Sequence, residues 1–153
     1  MCDLLRKLKT EHNAVSVKAE FEAEGTRTDE LLRLVEISRK AELKVGLKIG
    51  GCEAIRDLME SKQIGVEYII APMVETAYAL GKFIDAKNKV YREQERADTE
   101  FLANMETITG FKNIDKISEV AAKSQGLDGL VFGRVDFAGS LSIDRAFLND
   151  NKI

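Results

Sequence analysis

The sequence predicts an α/β fold built on a parallel sheet, and three observations lead to this prediction. Five short apolar runs alternate with segments of helical spacing, which is typical of consecutive strand–helix units. The first two runs, VSVKAEFEAEG (15–25) and KVGLKIGG (44–51), also alternate with period two, as half-buried strands do. No internal repeat, low-complexity tract or linker interrupts the order. We therefore expect a single domain spanning residues 1–153.

The period-two runs predict how the two faces of the sheet are used. Glu20 and Glu22 share one face of the first run, and Lys48 lies on the corresponding face of the second. Such a face either lines the lumen of a (β/α) barrel or is the solvated face of an edge strand. Acids on one strand beside lysines on the next can neutralise each other, which favours the barrel.

The chain is short for a complete barrel. A (β/α)8 barrel usually needs about 200 residues or more, whereas this chain has 153 residues. We therefore expect a partial (β/α)8 TIM barrel of about five parallel βα units, either truncated on the C-terminal side or completed by another subunit. Truncation is the favoured alternative, because the segment from residue 142 starts another helix or loop and then stops.

The other elements follow from local signals. A third strand is predicted in VEYIIAPMVET (66–76), which is apolar on both faces. Thr28 is the predicted N-cap of the first long helix, and Met59 is predicted to face inward from a later one. Helices are expected at 3–11, 29–41, 52–63, 76–95 and 111–126.

Composition excludes several classes of protein. The net charge of −3 gives no general attraction to nucleic acid or to an anionic membrane. No apolar run approaches the roughly 20 residues of a membrane span, and the charged N-terminal segment does not resemble a signal peptide. Cys2 and Cys52 have no metal-binding spacing and are expected to be free thiols. These features predict a cytoplasmic protein.

Two acids are placed for metal binding. The stretch from Glu100 to Ser140 is predicted to form strand, helix and strand, with Glu106 and Asp136 ending the two strands. Because a parallel βαβ unit brings both strand ends to one edge of the sheet, these carboxylates are expected side by side. Hard oxygen ligands of this kind suit Mg²⁺ or Mn²⁺. The alternative is that both are surface carboxylates at strand ends.

Several segments resemble the metal-binding core of the HpcH/HpaI aldolase and citrate lyase β-subunit family. They are METITG, FKNIDKI and DGLVFGRVDFAGSL, and the resemblance extends back through LKIGGCEAIRDLMESKQIGVEYIIAPMVETAYAL. It covers most of residues 15–145. The resemblance implies a (β/α)8 barrel that makes or breaks a carbon–carbon bond next to a pyruvate-like oxoacid or an acyl-CoA enolate. It places the divalent metal, Mg²⁺ or Mn²⁺, on Glu106 and Asp136.

The resemblance gives Lys48 a role and leaves one position unfilled, and Arg134 departs from it, because relatives usually have a small residue or proline there. Lys48 stands where the family usually has an arginine that contacts the substrate, and its alternative role is a lumenal counter-ion for Glu20 or Glu22. Arg134 either reaches an anionic substrate or neutralises the acids. Aldolase members carry a histidine soon after an early strand, but EAEGTR (22–27) has none, and His12 precedes the first strand.

Three functions remain open from the sequence. The first is a metal-dependent lyase acting on a small 2-oxoacid or related acyl thioester through a metal-stabilised enolate. The second is a Schiff-base aldolase that uses Lys48. The third is a non-catalytic binding or scaffold fragment of a barrel. The exposed edge of the last strand further predicts a homo-oligomer.

Overall fold

Five parallel strands form one sheet in the order of the chain, β1-β2-β3-β4-β5. The computed structural model describes residues 1–144 and residue 146. The strands are β1 Ser16–Glu20, β2 Lys44–Lys48, β3 Tyr68–Ala71, β4 Glu100–Met105 and β5 Gly129–Phe132. The prediction of five parallel βα units is confirmed.

Helices connect consecutive strands, as right-handed crossovers between parallel strands require. The connecting helices are α2 Thr28–Lys40, α3 Ile55–Ile64, α4 Ala77–Val90, α5 Ile108–Lys112 and α6 Ile114–Ala121, with a 3-10 turn at Glu93–Arg96. Helix α1 Cys2–His12 precedes β1, and α7 Arg134–Ser140 follows β5. Among the described residues, no helix combines the length and the apolar character needed to cross a membrane.

The two faces of the sheet differ as the period-two pattern predicts. Val45, Leu47 and Ile49 are fully buried and pack with helix residues such as Leu58 and Phe83 in the main core. The opposite face carries the charged residues, because Lys18, Glu20 and Lys48 alternate with these apolar positions. The helices therefore cover the apolar face, and the polar face is the one on which a site can form.

Several predicted boundaries are wrong, and each has a local cause. β1 ends at Glu20, so Glu22 lies outside the strand, because the last ladder bond runs from the Phe21 amide to the Lys48 carbonyl. Arg27 caps α2 in place of Thr28, since its amide donates to the Glu30 carboxylate at 3.2 Å. The predicted helix 76–95 breaks after Val90, and the predicted helix 111–126 divides into α5 and α6.

Two further predictions concern single segments. Met59 is 59% exposed, although it was expected to face inward, because α3 buries a narrow stripe that centres on Leu58. The helix or loop predicted from residue 142 falls mostly outside the described residues.

Candidate active site

Glu106 is the most constrained acid at the C-terminal edge of the sheet. It follows β4 directly and is only 3% exposed. Its Oε1 accepts a hydrogen bond from the Met73 amide at 2.9 Å, and its Oε2 accepts one from Asn104 Nδ2 at 2.7 Å. A carboxylate oxygen accepts more than one hydrogen bond, so both oxygens keep capacity for another ligand. The residues following β3 and those of β4 thus fix this carboxylate in place.

Asn104 is a site residue that the sequence analysis missed. Residues two apart on a strand share a face, so Asn104 and Glu106 both lie on the polar side of the sheet. Asn104 is 3% exposed, and its Oδ1 is buried without a hydrogen-bond partner among the described residues. A buried acceptor of this kind normally meets water, a cation or a ligand's donor. The Asn-x-Glu spacing at the end of β4 was the signal that would have found it.

The turn after β5 lies directly against Glu106. An added Cβ on Gly133 would lie 2.6 Å from Glu106 Cβ and 2.7 Å from its Oε2. The Gly133 amide also donates to the Met105 carbonyl at 3.0 Å. Only glycine allows the backbone to approach the carboxylate this closely. Gly133 therefore connects the ends of β4 and β5 at this edge.

Asp136 is not at the end of a strand, contrary to the prediction. β5 ends at Phe132, and Asp136 lies in the first turn of α7, where it is exposed. The strand ends early because Gly133 turns the chain and α7 begins at Arg134. An acid in the first turn of a helix is favoured by the helix dipole. Asp136 thus stands three residues beyond the glycine that contacts Glu106, and Arg134 is exposed in the same turn.

Lys48 pairs with Glu20 across the ends of β1 and β2. Lys48 Nζ lies 2.9 Å from Glu20 Oε2, and Lys18 Nζ lies 2.6 Å from Glu20 Oε1. Burial by itself would raise the pKa of Glu20, but the ammonium groups of Lys18 and Lys48 outweigh it and hold that pKa below its ordinary value. Lys48 is therefore a lumenal counter-ion in this structure, one of its two predicted roles. Glu22 is exposed and packs near Gly50 instead.

A second polar network supports the same edge. Thr107 Oγ1 donates to Glu75 Oε1 at 2.7 Å and accepts from the Gly110 amide at 3.0 Å, which caps α5. Asn113 Nδ2 donates to the Glu75 carbonyl at 2.9 Å. These bonds tie the loop after β3 to the segment after β4. The position of Glu75 near the site was not recognised from the sequence.

The residues at this edge suit a hard divalent cation. Glu106 and Asp136 are the carboxylates predicted to bind the cation, and the unpartnered Oδ1 of Asn104, beside Glu106, is a hard oxygen as well. Within residues 1–144 and 146, no group of three or more His, Cys, Asp or Glu residues clusters to complete a site from protein alone. Mg²⁺ commonly keeps several waters and is held by one or two carboxylates, so the donor set fits such an ion. His12 is exposed at the end of α1.

The fold resembles solved structures that are longer than this chain. Citrate synthase SbnG matches with a TM-score of 0.72 and 20% identity, covering 94% of this chain and 61% of that one. The HpcH/HpaI aldolase from Desulfitobacterium hafniense gives 0.70 and 18%, covering 93% and 61%. A family protein from Burkholderia cenocepacia gives 0.69 and 13%, covering 92% and 63%. The chain thus spans about three fifths of the length of these relatives.

A family comparison covers nearly the whole chain. The search of curated proteins found no match. The HpcH/HpaI aldolase/citrate lyase model matches residues 10–148, a span that contains all five strands and both predicted metal-binding acids. The chain belongs to the HpcH/HpaI aldolase/citrate lyase family.

Proposed function

We propose that this chain carries the metal-binding part of a divalent-metal-dependent carbon–carbon lyase. The substrate class is a small 2-oxoacid or a related acyl thioester. The observation that carries the proposal is the buried Glu106 carboxylate, fixed by Met73 and Asn104 at the C-terminal edge of a parallel sheet. In barrels of this architecture, that edge is where catalytic residues are placed. Divalent-metal dependence is general in the family.

Glu106 and Asp136 are the proposed ligands for Mg²⁺ or Mn²⁺. When bound, the cation would act as a Lewis acid on the substrate's oxo group and stabilise the negative charge that develops as the carbon–carbon bond breaks. The chain's own contribution is to hold Glu106 in one orientation through two hydrogen bonds. Gly133 keeps the first turn of α7, which carries Asp136, near that carboxylate.

Lys48 and Arg134 are the proposed contacts for an anionic substrate. Arg134 is exposed in the first turn of α7, so its guanidinium can bind a carboxylate without first breaking a buried pair. Lys48 is different, because its ammonium already contacts Glu20 at 2.9 Å. A substrate carboxylate must therefore compete with Glu20, and Lys48 would act through its charge more than through a dedicated bond.

The same ion pair argues against Schiff-base chemistry through Lys48. The nucleophile in that mechanism is a neutral amine, whereas the Lys48 ammonium is held by a nearly buried carboxylate. Treatment with borohydride in the presence of pyruvate tests this alternative. A covalent adduct on Lys48 would support it, and activity lost on chelation would support the metal-dependent lyase.

A binding or scaffold role is the remaining alternative. The segment 22–27 has no histidine, and His12 is exposed away from the sheet edge. A chain that binds Mn²⁺ and pyruvate yet cleaves no 4-hydroxy-2-oxoacid would fit this role better than the lyase.

Titration with Mn²⁺ by calorimetry tests the metal site directly. We expect Glu106→Gln and Asp136→Asn each to weaken binding by about tenfold or more, since each removes a charged ligand. Asp115→Asn is the matched control, because Asp115 is an exposed aspartate in the first turn of α6. An affinity for Mn²⁺ that is the same in all four proteins would remove both acids from the site and contradict the proposal.

A further inference from the structure

A cavity of about 410 Å³ lies at the opposite edge of the sheet, beneath the start of β4 and β5. It is lined by Lys87 from α4, by Arg96 from the 3-10 turn, and by the loop Gln125–Asp128 that leads into β5. The proposed lyase chemistry uses none of these residues. Its lining holds three cationic side chains, of which Lys87 is buried, Arg96 is half-buried and Lys123 is exposed.

Lys87 is a buried cation in the wall of this cavity. It is 3% exposed, and its ammonium donates to the carbonyls of Gln125 at 2.7 Å and Gly126 at 2.6 Å. An ammonium has three N–H groups, so one remains beyond these two bonds. Gly126 makes the arrangement possible, because a Cβ there would overlap the Ala121 carbonyl oxygen.

Arg96 places a second cation in the same wall. One terminal nitrogen donates to Asn88 Oδ1 at 2.8 Å, while its Nε is buried without a hydrogen-bond partner in the described part of the chain. Burial lowers the pKa of Lys87, and the charge of Arg96 lowers it further, with Asp128 acting in the opposite direction. The two cations are thus near enough to repel each other.

Neither acid of the cavity lining pairs directly with Lys87 or Arg96. Asp128 Oδ2 is used as the acceptor for the Phe101 amide at 2.7 Å, and Glu93 lies exposed at the rim. Across the described residues, neither Lys87 nor Arg96 has a carboxylate within ion-pair distance. Lys123 adds another cation to the lining. A buried cation that has no carboxylate paired with it is costly, so an anion is the complementary ligand.

We propose that this cavity binds a small phosphate group, either inorganic phosphate or the phosphate of a monoester. A dianion would balance Lys87 and Arg96 together, and its oxygens would accept from the second terminal nitrogen of Arg96 and from the remaining Lys87 N–H. Such a ligand would link α4, the 3-10 turn and the loop into β5. We expect phosphate to stabilise this half of the sheet, because a ligand that binds only the folded state raises the free energy of unfolding.

The test compares phosphate with chloride at equal ionic strength. Calorimetry and thermal unfolding are measured on the wild-type chain, on Arg96→Gln and on Lys116→Gln, which removes an exposed lysine of α6. A parallel series with glycerol 3-phosphate separates a monoester from the free ion. Amide chemical shifts of Gln125 and Gly126 report whether binding occurs at the cavity.

We expect phosphate to raise the unfolding temperature above the chloride value and to shift the Gln125 and Gly126 amides. Arg96→Gln should weaken phosphate binding by about tenfold or more, because it removes a charge-assisted hydrogen bond. Lys116→Gln should behave like wild type. Equal responses to phosphate and chloride, or equal phosphate affinity in wild type and Arg96→Gln, would overturn the proposal. Lys87→Met is a poor variant, because it also releases two loop carbonyls.

Discussion

Glu20 shows how burial and charge compete at one carboxylate. It is 7% exposed, yet it lies between the ammonium groups of Lys18 and Lys48. Lys18 is about half exposed, whereas the Lys48 side chain is only 14% exposed. The pair with Lys48 is therefore the less screened of the two, and it should contribute more to stability.

The first prediction concerns Lys48→Met. This change leaves Glu20 with one exposed partner, and the free energy of unfolding should fall by about 1–3 kcal/mol, the cost of a buried group that loses a partner. Urea denaturation measures the change. Lys40→Met is the control, because the Lys40–Glu36 pair is an exposed contact on α2 and should contribute little. Equal midpoints for Lys48→Met and wild type would show that the Glu20–Lys48 pair adds no stability.

The second prediction is the pH dependence that Glu20 confers. Its folded-state pKa lies below the ordinary value near 4.5, so its contribution is complete above about pH 4.5 and is lost as the pH falls through the folded-state pKa. The stability difference between wild type and Glu20→Gln should therefore narrow in acid. Glu24→Gln, an exposed glutamate change, is the control. A difference that stays constant from pH 7 to pH 3 would argue against the lowered pKa.

At the residue scale, the sequence predicted contacts that depend on strand alternation alone. Glu20 and Lys48 share a face in adjacent strands, so their pairing followed once those strands were neighbours in register. The unpartnered oxygen of Asn104 did not follow, because it depends on which side-chain atoms meet at the end of β4. The alternation of residues predicts on which face of the sheet a side chain lies. Whether its polar atoms find hydrogen-bond partners depends on the tertiary structure.

At the element scale, the turn from β5 into α7 determines the geometry near Glu106. The sequence predicts a strand that runs to Asp136, because a short apolar run there ends in an acid, as it does at Glu106. The structure instead turns at Gly133, where the backbone packs on the Glu106 side chain. In a short apolar segment near a glycine, periodicity alone does not show whether the chain forms a strand or a helix. The strand interiors were predictable, and this boundary was not.

The third prediction compares two glycines of this segment. In Gly133→Ala, the new methyl group would overlap Glu106, so we expect lower stability and weaker Mn²⁺ binding. Gly139→Ala is the matched control, because a Cβ there meets nothing within 4 Å. As Gly139 lies inside α7, alanine should leave stability unchanged or raise it by up to about 1 kcal/mol. Thermal unfolding and calorimetry check both. Identical behaviour of the two variants would mean that Gly133 does not hold the turn against Glu106.

At the scale of the whole molecule, β5 is an edge strand of the sheet, with no further strand beside it among the residues that the structure describes. Leu130 and Phe132 are 41% and 54% exposed, and they lie in register with Ala103 and Met105 on the apolar face. Val135 in the next turn is also about half exposed. An unpaired strand edge beside apolar side chains favours pairing with another chain.

The fourth prediction is that the isolated chain self-associates through this edge, as the sequence analysis expected of a homo-oligomer. Light scattering of the wild type should show species larger than the monomer, and Phe132→Glu should shift the distribution toward monomer. Tyr78→Glu is the control, since Tyr78 is a highly exposed aromatic residue on α4. A monodisperse wild-type monomer would contradict the prediction.

The order of the strands has a consequence for how the chain acquires its structure. Each strand after β1 pairs with the strand that precedes it in sequence, so each pairing of the sheet closes a loop of only one crossover. Loop closure of this length costs less entropy than pairing distant segments, and topologies dominated by near neighbours fold faster than those that join remote ones. A chain emerging from the ribosome can therefore add its strands one at a time to a growing sheet. In that sequence of events the Glu20–Lys48 pair forms early, while Glu106 meets Gly133 only after β5 has joined.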